Sequence, residues 1–304
     1  MKSLAVAAIG AALLLPVVSG CAAFTDDSAS SADGVEVAAA FYPLQYVAER
    51  VAGDRLGHGV TVETLTAPGG EPHDLELSPK QVADVAQADL VVYERGFQQS
   101  VDDAVDTNAT GDTVDAASVV DLVPFREHGV DSDEIDPHFW QDPLMLADVA
   151  DTVADHLADI DPGHADDYQA NADDLRSDLE QLDQDYTAGL ASCERSTVVV
   201  SHDAFGYLQR YGIQMKAILG LSPESEPTPA DLAELQDLVK SEGITTVFSE
   251  TLAPKEVAES LAHDTGVKSA VLDPIEGLSD ETADEDYLSL MRSNLSALQE
   301  ANGC

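Results

Sequence analysis

Basic residues are scarce in this chain: 14 lysines and arginines face 58 aspartates and glutamates among 304 residues, for a formal charge of −44. Repulsion from phosphates excludes nucleic acid as a partner. Cysteine is scarce too, with three residues, and neither a local zinc-finger pattern nor a helical HExxH spacing occurs. The apolar run from Leu4 to Val18 is shorter than the roughly 20 residues a membrane span needs. What remains is ample: 44% of the residues are hydrophobic, enough for two lobes with separate cores. The acidic residues are spread along the whole chain, which suits a protein kept soluble in a saline habitat. They cannot supply metal selectivity, because fields between exposed charges are screened beyond about 8 Å at physiological salt.

Residues 1–20, with Lys2 ahead of the apolar run, read as an export signal. The sequence Val18-Ser19-Gly20-Cys21 resembles a bacterial lipobox, which implies diacylglyceryl attachment to Cys21 and removal of what precedes it. Residues 21–34 are small and polar and suit a flexible tether. The expected location is therefore the outer face of the cytoplasmic membrane, held by a lipid anchor. In an oxidising compartment the simplest account of Cys193 and Cys304 is a disulfide pinning the C-terminal helix; two free thiols are the alternative.

From Val35 the pattern alternates between short apolar strands and amphipathic helices, which predicts an α/β fold with mostly parallel sheets. Strands are expected at 35–40, 60–66, 90–93 and a weaker one at 113–117, with helices at 44–52, 79–87 and 99–105. Residues 143–192 carry helical apolar spacing broken only by Asp161-Pro162-Gly163. The second part is one helix of about 28 residues, on the order of 40 Å long, suited to a spine between lobes. Alternation then resumes, with strands at 197–201, 213–219, 245–249 and 267–272, and helices at 204–211, 229–241, 254–265 and 285–300. The expected organisation is an N-terminal α/β lobe at 35–160, a connecting helix at 161–192 and a C-terminal α/β lobe at 193–304.

Four stretches end or follow a predicted strand with a potential metal ligand: EPHDLELSP around His73, DPHFWQDP around His138, VVVSHDAF around His202 and AVLDPIEG around Asp273. Ligands of open α/β sheets bind beyond the carboxyl ends of the strands, so all four fall at one sheet edge, two from each half. Three imidazoles and one carboxylate complete a tetrahedral zinc shell. Glu250, just after the strand at 245–249, is expected to orient an imidazole N–H, with a fifth ligand as the alternative. Glu71 and Asp74 flank His73 and read by default as solvated acids. His58, His156, His164 and His263 read as surface histidines, and His128 belongs to a solvated acidic loop.

These motifs together resemble the metal-binding lipoproteins of bacterial ABC importers for zinc and manganese, the cluster A-I solute-binding proteins, and their zinc branch most. The resemblance covers nearly everything from Cys21 to Cys304. It implies two α/β lobes joined by a long rigid helix with the ion between them, and ligands at His73, His138, His202 and Asp273. Closure on binding is the usual expectation for a two-lobed cleft, but a single long helix offers no obvious hinge, so small movements are expected. His202 sets the branch, since manganese members typically carry a carboxylate there, and imidazole favours zinc. The acidic loop carries only His128 where many zinc members have a histidine-rich run.

The implied function is a monomeric receptor, with no catalytic residues, that delivers Zn(II) to an ABC importer permease with its cytoplasmic ATPase. A manganese receptor of the same class is one alternative. A zinc-dependent hydrolase with Glu250 as base would need an open coordination position, and a metal-stabilised adhesin is the third possibility. Because imidazole must be neutral to bind, zinc affinity is expected to fall below about pH 6.5.

Overall fold

The structure is a computed structural model that describes residues 34–127 and 130–304. The export signal, Cys21 with nearly all of the tether, and His128 lie outside the described residues. The chain begins with β1 (Val35–Ala39), α1 (Tyr42–Ala52), β2 (Val60–Thr64), α2 (Pro79–Gln87), β3 (Leu90–Tyr93), α3 (Gln99–Asn108), β4 (Asp112–Asp115) and the short α4 (Ala116–Val119). A hairpin of β5 (Pro124–Glu127) and β6 (Val130–Ile135) follows, then α5 (Pro143–Ile160) and α6 (Ala165–Leu190). The second series is β7 (Thr197–Val200), β8 (Gln214–Ala217), α7 (Pro229–Glu242), β9 (Thr246–Ser249), α8 (Glu256–Thr265), β10 (Lys268–Val271) and α9 (Tyr287–Asn302).

The strands form two parallel four-stranded sheets, ordered β2-β1-β3-β4 and β10-β9-β7-β8. Read from β7 onwards, the second sheet repeats the connectivity of the first. In each, the first strand lies between the second and third, so the crossover direction reverses there and a crevice opens beyond the strand ends. Central strands covered on both faces need continuous apolar runs. Leu90–Tyr93 and Thr246–Ser249 are buried at every position.

Local chemistry sets the helix starts. Ser78 and Gln81 form a capping box ahead of α2, with Pro79 in the first turn, and Thr228 and Asp231 do the same for α7 before Pro229. Such caps satisfy N–H groups that a helix cannot bond internally, each contributing about 1 kcal/mol. Gly266 follows α8 at φ 74°, a conformation that closes the helix and that side chains other than glycine's resist.

The 26-residue α6 is about 39 Å long. Its buried stripe runs through Tyr168, Ala172, Leu175, Leu179, Leu182, Tyr186 and Leu190, spaced three or four apart. It packs against α1 and α5 on one side and α9 on the other, so a single rigid element touches helices of both sheets. Tyr186 adds a buried hydrogen bond from its hydroxyl to the Met291 carbonyl at 2.7 Å. Just beyond α6, a disulfide joins Cys193 to Cys304 and fastens the end of α9.

Two elements depart from the sequence expectation. Residues 124–135, expected as loop, pair as an antiparallel hairpin; its charged strands lack the apolar alternation that marks a strand. The segment expected as a helix over 204–211 is a 3-10 helix at Gly206–Tyr211. A Cβ at Gly206 would meet the Asp136 carboxylate at 2.4 Å, so the chain approaches a neighbouring loop as only glycine can.

Candidate metal centre

His73 lies in the loop between β2 and α2, and His138 between β6 and α5, at the start of the 3-10 turn Phe139–Gln141. His202 follows β7 after one intervening residue, and Glu276 sits in the loop after β10. One potential ligand atom from each of these four residues lies within 4.8 Å of all the others. The Glu276 Oε1 atom stands 3.3 Å from His73 Nε2, 3.4 Å from His138 Nε2 and 3.2 Å from His202 Nε2. The Nε2 atoms of His73 and His138 are 3.4 Å apart. Ligands about 2.0–2.1 Å from a tetrahedral zinc are separated by about 3.3 Å, and these four separations match that edge length.

Carboxylates behind the imidazoles fix which nitrogen faces the centre. Asp136 Oδ1 accepts from both the backbone N–H and Nδ1–H of His138, at 3.0 and 2.8 Å. Glu250 does the same for His202 with its two oxygens, 2.9 Å from the backbone nitrogen and 2.7 Å from Nδ1. A donor N–H at Nδ1 leaves the Nε2 lone pair directed inward and makes it more basic. Both Glu250 oxygens thus bond His202, the orienting role expected from the sequence. Glu71 Oε1 accepts from the backbone N–H of His73 at 3.0 Å and shapes that loop. Phe97 meets His73 edge-on at 4.8 Å, and Trp140 meets His138 at 5.2 Å.

The expected fourth ligand, Asp273, requires correction, because the carboxylate in the cluster belongs to Glu276. Asp273 Oδ1 accepts from the Ile275 N–H at 2.8 Å and Oδ2 from the Thr251 hydroxyl at 3.0 Å, so both oxygens are spent on the turn. Asn294 holds the same residue from its backbone N–H and carbonyl. Trp140 and Gln141, from the His138 loop, donate to the Pro274 carbonyl at 2.8 and 2.6 Å. This framework carries Ile275 at φ 61°, a conformation a β-branched side chain resists. Strain of about 1–3 kcal/mol is outweighed by several hydrogen bonds of about 1 kcal/mol each. The turn delivers the longer Glu276 side chain to the three imidazoles. The Asp-Pro dipeptide in AVLDPIEG is itself a turn signal, and it could have shifted attention to the next carboxylate. Asp136 was missed for a similar reason, since it reads as one more residue of an acidic loop.

Electrostatics tie these groups tightly. Burial disfavours charge on His202, but the Glu250 and Glu276 carboxylates outweigh it and hold the imidazolium up to about 10. His138 is likewise buried, and Asp136 and Glu276 raise it. Burial alone would raise Glu276, yet His202 and hydrogen bonds from the three imidazoles hold it well below the usual carboxylate range. Asp273, where burial dominates, is pushed up to about 6. His156, His164 and His263 pair with surface aspartates instead, and His58 is exposed.

A family described as the periplasmic component A of the zinc-uptake complex matches residues 37–301. The chain belongs to this family. The zinc-binding lipoprotein AdcA of Streptococcus pneumoniae, strain R6, is 35% identical over 88% of this chain, and the chain spans only 56% of that relative's length. The high-affinity zinc uptake system protein ZnuA of Bacillus subtilis is 30% identical over 96% of this chain and 95% of its own. Among solved structures, the Zn(II)-bound ZnuA-like domain of S. pneumoniae AdcA superposes with a TM-score of 0.76 at 34% identity, covering 89% of this chain and 100% of that domain. The laminin-binding protein Lmb of Streptococcus agalactiae, described as having adhesin and metal-transporting activity, gives 0.79 at 31% identity over 88% of this chain and 99% of its own. The family and its paired parallel sheets with a long helix agree with the expectation from the sequence motifs.

Proposed function

We propose that this protein captures Zn(II) outside the cytoplasm and delivers it to an ABC-type importer. The observation that carries the reading is the convergence of three imidazole nitrogens and one carboxylate oxygen, two donors from each half of the chain, within 4.8 Å of one another, with the carboxylate oxygen 3.2–3.4 Å from each nitrogen. His73, His138, His202 and Glu276 are the proposed ligands. Four protein donors fill the shell zinc prefers and leave no position for a reactive water, so the site sequesters its ion. Imidazole nitrogen selects zinc over manganese, whose preference is for oxygen.

Under this reading the lobes are residues 35–160 and 193–304, with 161–192 as the connecting helix. A lipid on Cys21 holds the receptor beside its permease, and the ATPase on the far side of the membrane drives transfer. Movement on binding is small, because buried hydrogen bonds already cross between the halves. Trp140 and Gln141 donate to Pro274, Tyr287 donates to the Trp140 carbonyl at 2.5 Å, and Tyr207 to that of Asp136 at 2.8 Å.

Competitive titration of metal-free protein with Zn²⁺ and Mn²⁺ tests the assignment. One tight equivalent of zinc that manganese does not displace is expected; preference for manganese would move the protein to the other branch. A deletion strain should grow poorly when zinc is limiting and recover with added zinc. Unchanged growth would favour an adhesin whose metal merely stabilises it.

A further inference from the structure

Glu94 directly follows β3 and stands in the first sheet where Glu250 stands in the second. It is 3% exposed, and among the described residues neither carboxylate oxygen has a hydrogen-bond partner. An orphaned buried carboxylate is costly, on the order of several kcal/mol for an unpaired ion, so it calls for an explanation. The obvious partner declines it: the adjacent Arg95 guanidinium turns to Asp106 at 2.7 Å and to the Tyr93 hydroxyl at 2.8 Å. Burial pushes the Glu94 carboxyl well above the usual range, with Asp136, Asp115 and Asp102 adding to the shift.

Glu94 also lines a cavity of 990 Å³ whose wall includes Phe97, Asp115, Pro137, Ser222 and, decisively, His73. His73 is the most accessible of the four clustered groups, with its side chain 10% exposed while those of His138, His202 and Glu276 are at 2% or less. The cavity therefore meets the metal centre at its one open ligand.

We propose that Glu94 forms a second, weaker divalent-cation position in this cavity, where an incoming hydrated ion pauses before transfer to His73 and the inner cluster. A single carboxylate completed by water suits an ion in transit, because a partly hydrated cation is still free to leave. Oxygen from one side chain neutralises part of its charge while the neighbouring acids supply a favourable field. The role as a waypoint rests on the inner cluster being the capture site, whereas the second position itself does not.

Stopped-flow mixing of metal-free protein with Zn²⁺ at physiological salt, comparing wild type with Glu94→Gln, tests the proposal. Glu281→Gln serves as control for the loss of one exposed surface charge. Glu94→Gln should slow association about 3- to 10-fold and leave the equilibrium affinity of the tight site within about twofold, while the control changes neither. Association at the wild-type rate in Glu94→Gln overturns the proposal. Should that variant fail to fold, wild-type crystals soaked in excess Zn²⁺ decide: an anomalous peak within ligand distance of Glu94 supports it, and density confined to the inner cluster overturns it. Loss of tight zinc binding by wild type itself would instead contradict the capture reading, so the two failures are distinguishable.

Discussion

Glu250 and Glu94 occupy equivalent places in two sheets of the same connectivity, yet they behave oppositely. Glu250 spends both oxygens on His202, from 2.7 and 2.9 Å, and so aims a donor nitrogen at the centre. Glu94 has no hydrogen-bond partner among the described residues and lines a cavity. In the first half the orienting task falls to Asp136, carried on the loop that precedes α5, and this frees the strand-end carboxylate. A repeated topology thus supplies equivalent positions without equivalent chemistry. What a strand-end carboxylate does depends on whether an imidazole stands in front of it.

Substitutions break the comparison at graded strengths. Replacing an inner ligand should have the largest effect: Glu276→Gln or His202→Ala should weaken zinc by more than the roughly 10- to 100-fold that removal of an orienting partner causes, as read by competition with a chelating dye. Glu250→Gln and Asp136→Asn should each fall within that 10- to 100-fold range. Equal losses from Glu250→Gln and Glu94→Gln would erase the distinction between the halves. Gly206→Ala acts at one remove. Its new methyl group meets Asp136 at 2.4 Å, so about a tenfold loss is expected through the displaced His138 partner.

Protons compete at the same atoms. The sequence alone placed the fall in affinity below about pH 6.5, but the metal-free protein holds the His202 imidazolium up to about 10. Zinc must expel that proton, so apparent affinity should keep rising with pH from about 6.5 towards about 10. A plateau at neutral pH, measured by titration in buffers of differing protonation enthalpy, would show that Glu250 and Glu276 do not hold the proton. The sign for stability is opposite. His202 with a raised value stabilises the metal-free fold at low pH, and that contribution is lost as pH rises through about 10.

The smallest effect on binding should come from the disulfide. It closes a separation of 111 residues, and replacing both cysteines by serine should lower stability by about 2–5 kcal/mol in chemical denaturation while zinc affinity stays nearly constant. Cys193 precedes β7 whereas His202 follows it, so the disulfide and that donor lie at opposite ends of the same strand.

The alternation of apolar strands and capped helices made both sheets and α6 legible, because each element carries its period and its boundary signals locally. The clustering of the three histidines was legible because each sits in a connection between elements that motif and alternation marked, although His138 follows the hairpin strand β6 and not a strand of the parallel sheet. Glu276 was not, since its placement depends on a turn in which Asp273, Asn294, Thr251 and two residues of the His138 loop act together. Spacing along the chain suggested the nearer carboxylate, whereas the fold uses that one as scaffold and brings the next to the three imidazoles. The hairpin at 124–135 was hidden for another reason: its sequence carries no apolar alternation.

Zinc K-edge absorption on the protein loaded with one equivalent, repeated on Glu276→Gln, tests the central claim most directly. Wild type should show four ligands at about 2.0–2.1 Å, three of them with imidazole scattering, and Glu276→Gln should lose the short carboxylate oxygen. A wild-type spectrum with five or six oxygen-rich ligands, or one that Glu276→Gln leaves unchanged, would contradict a shell built from two donors of each half.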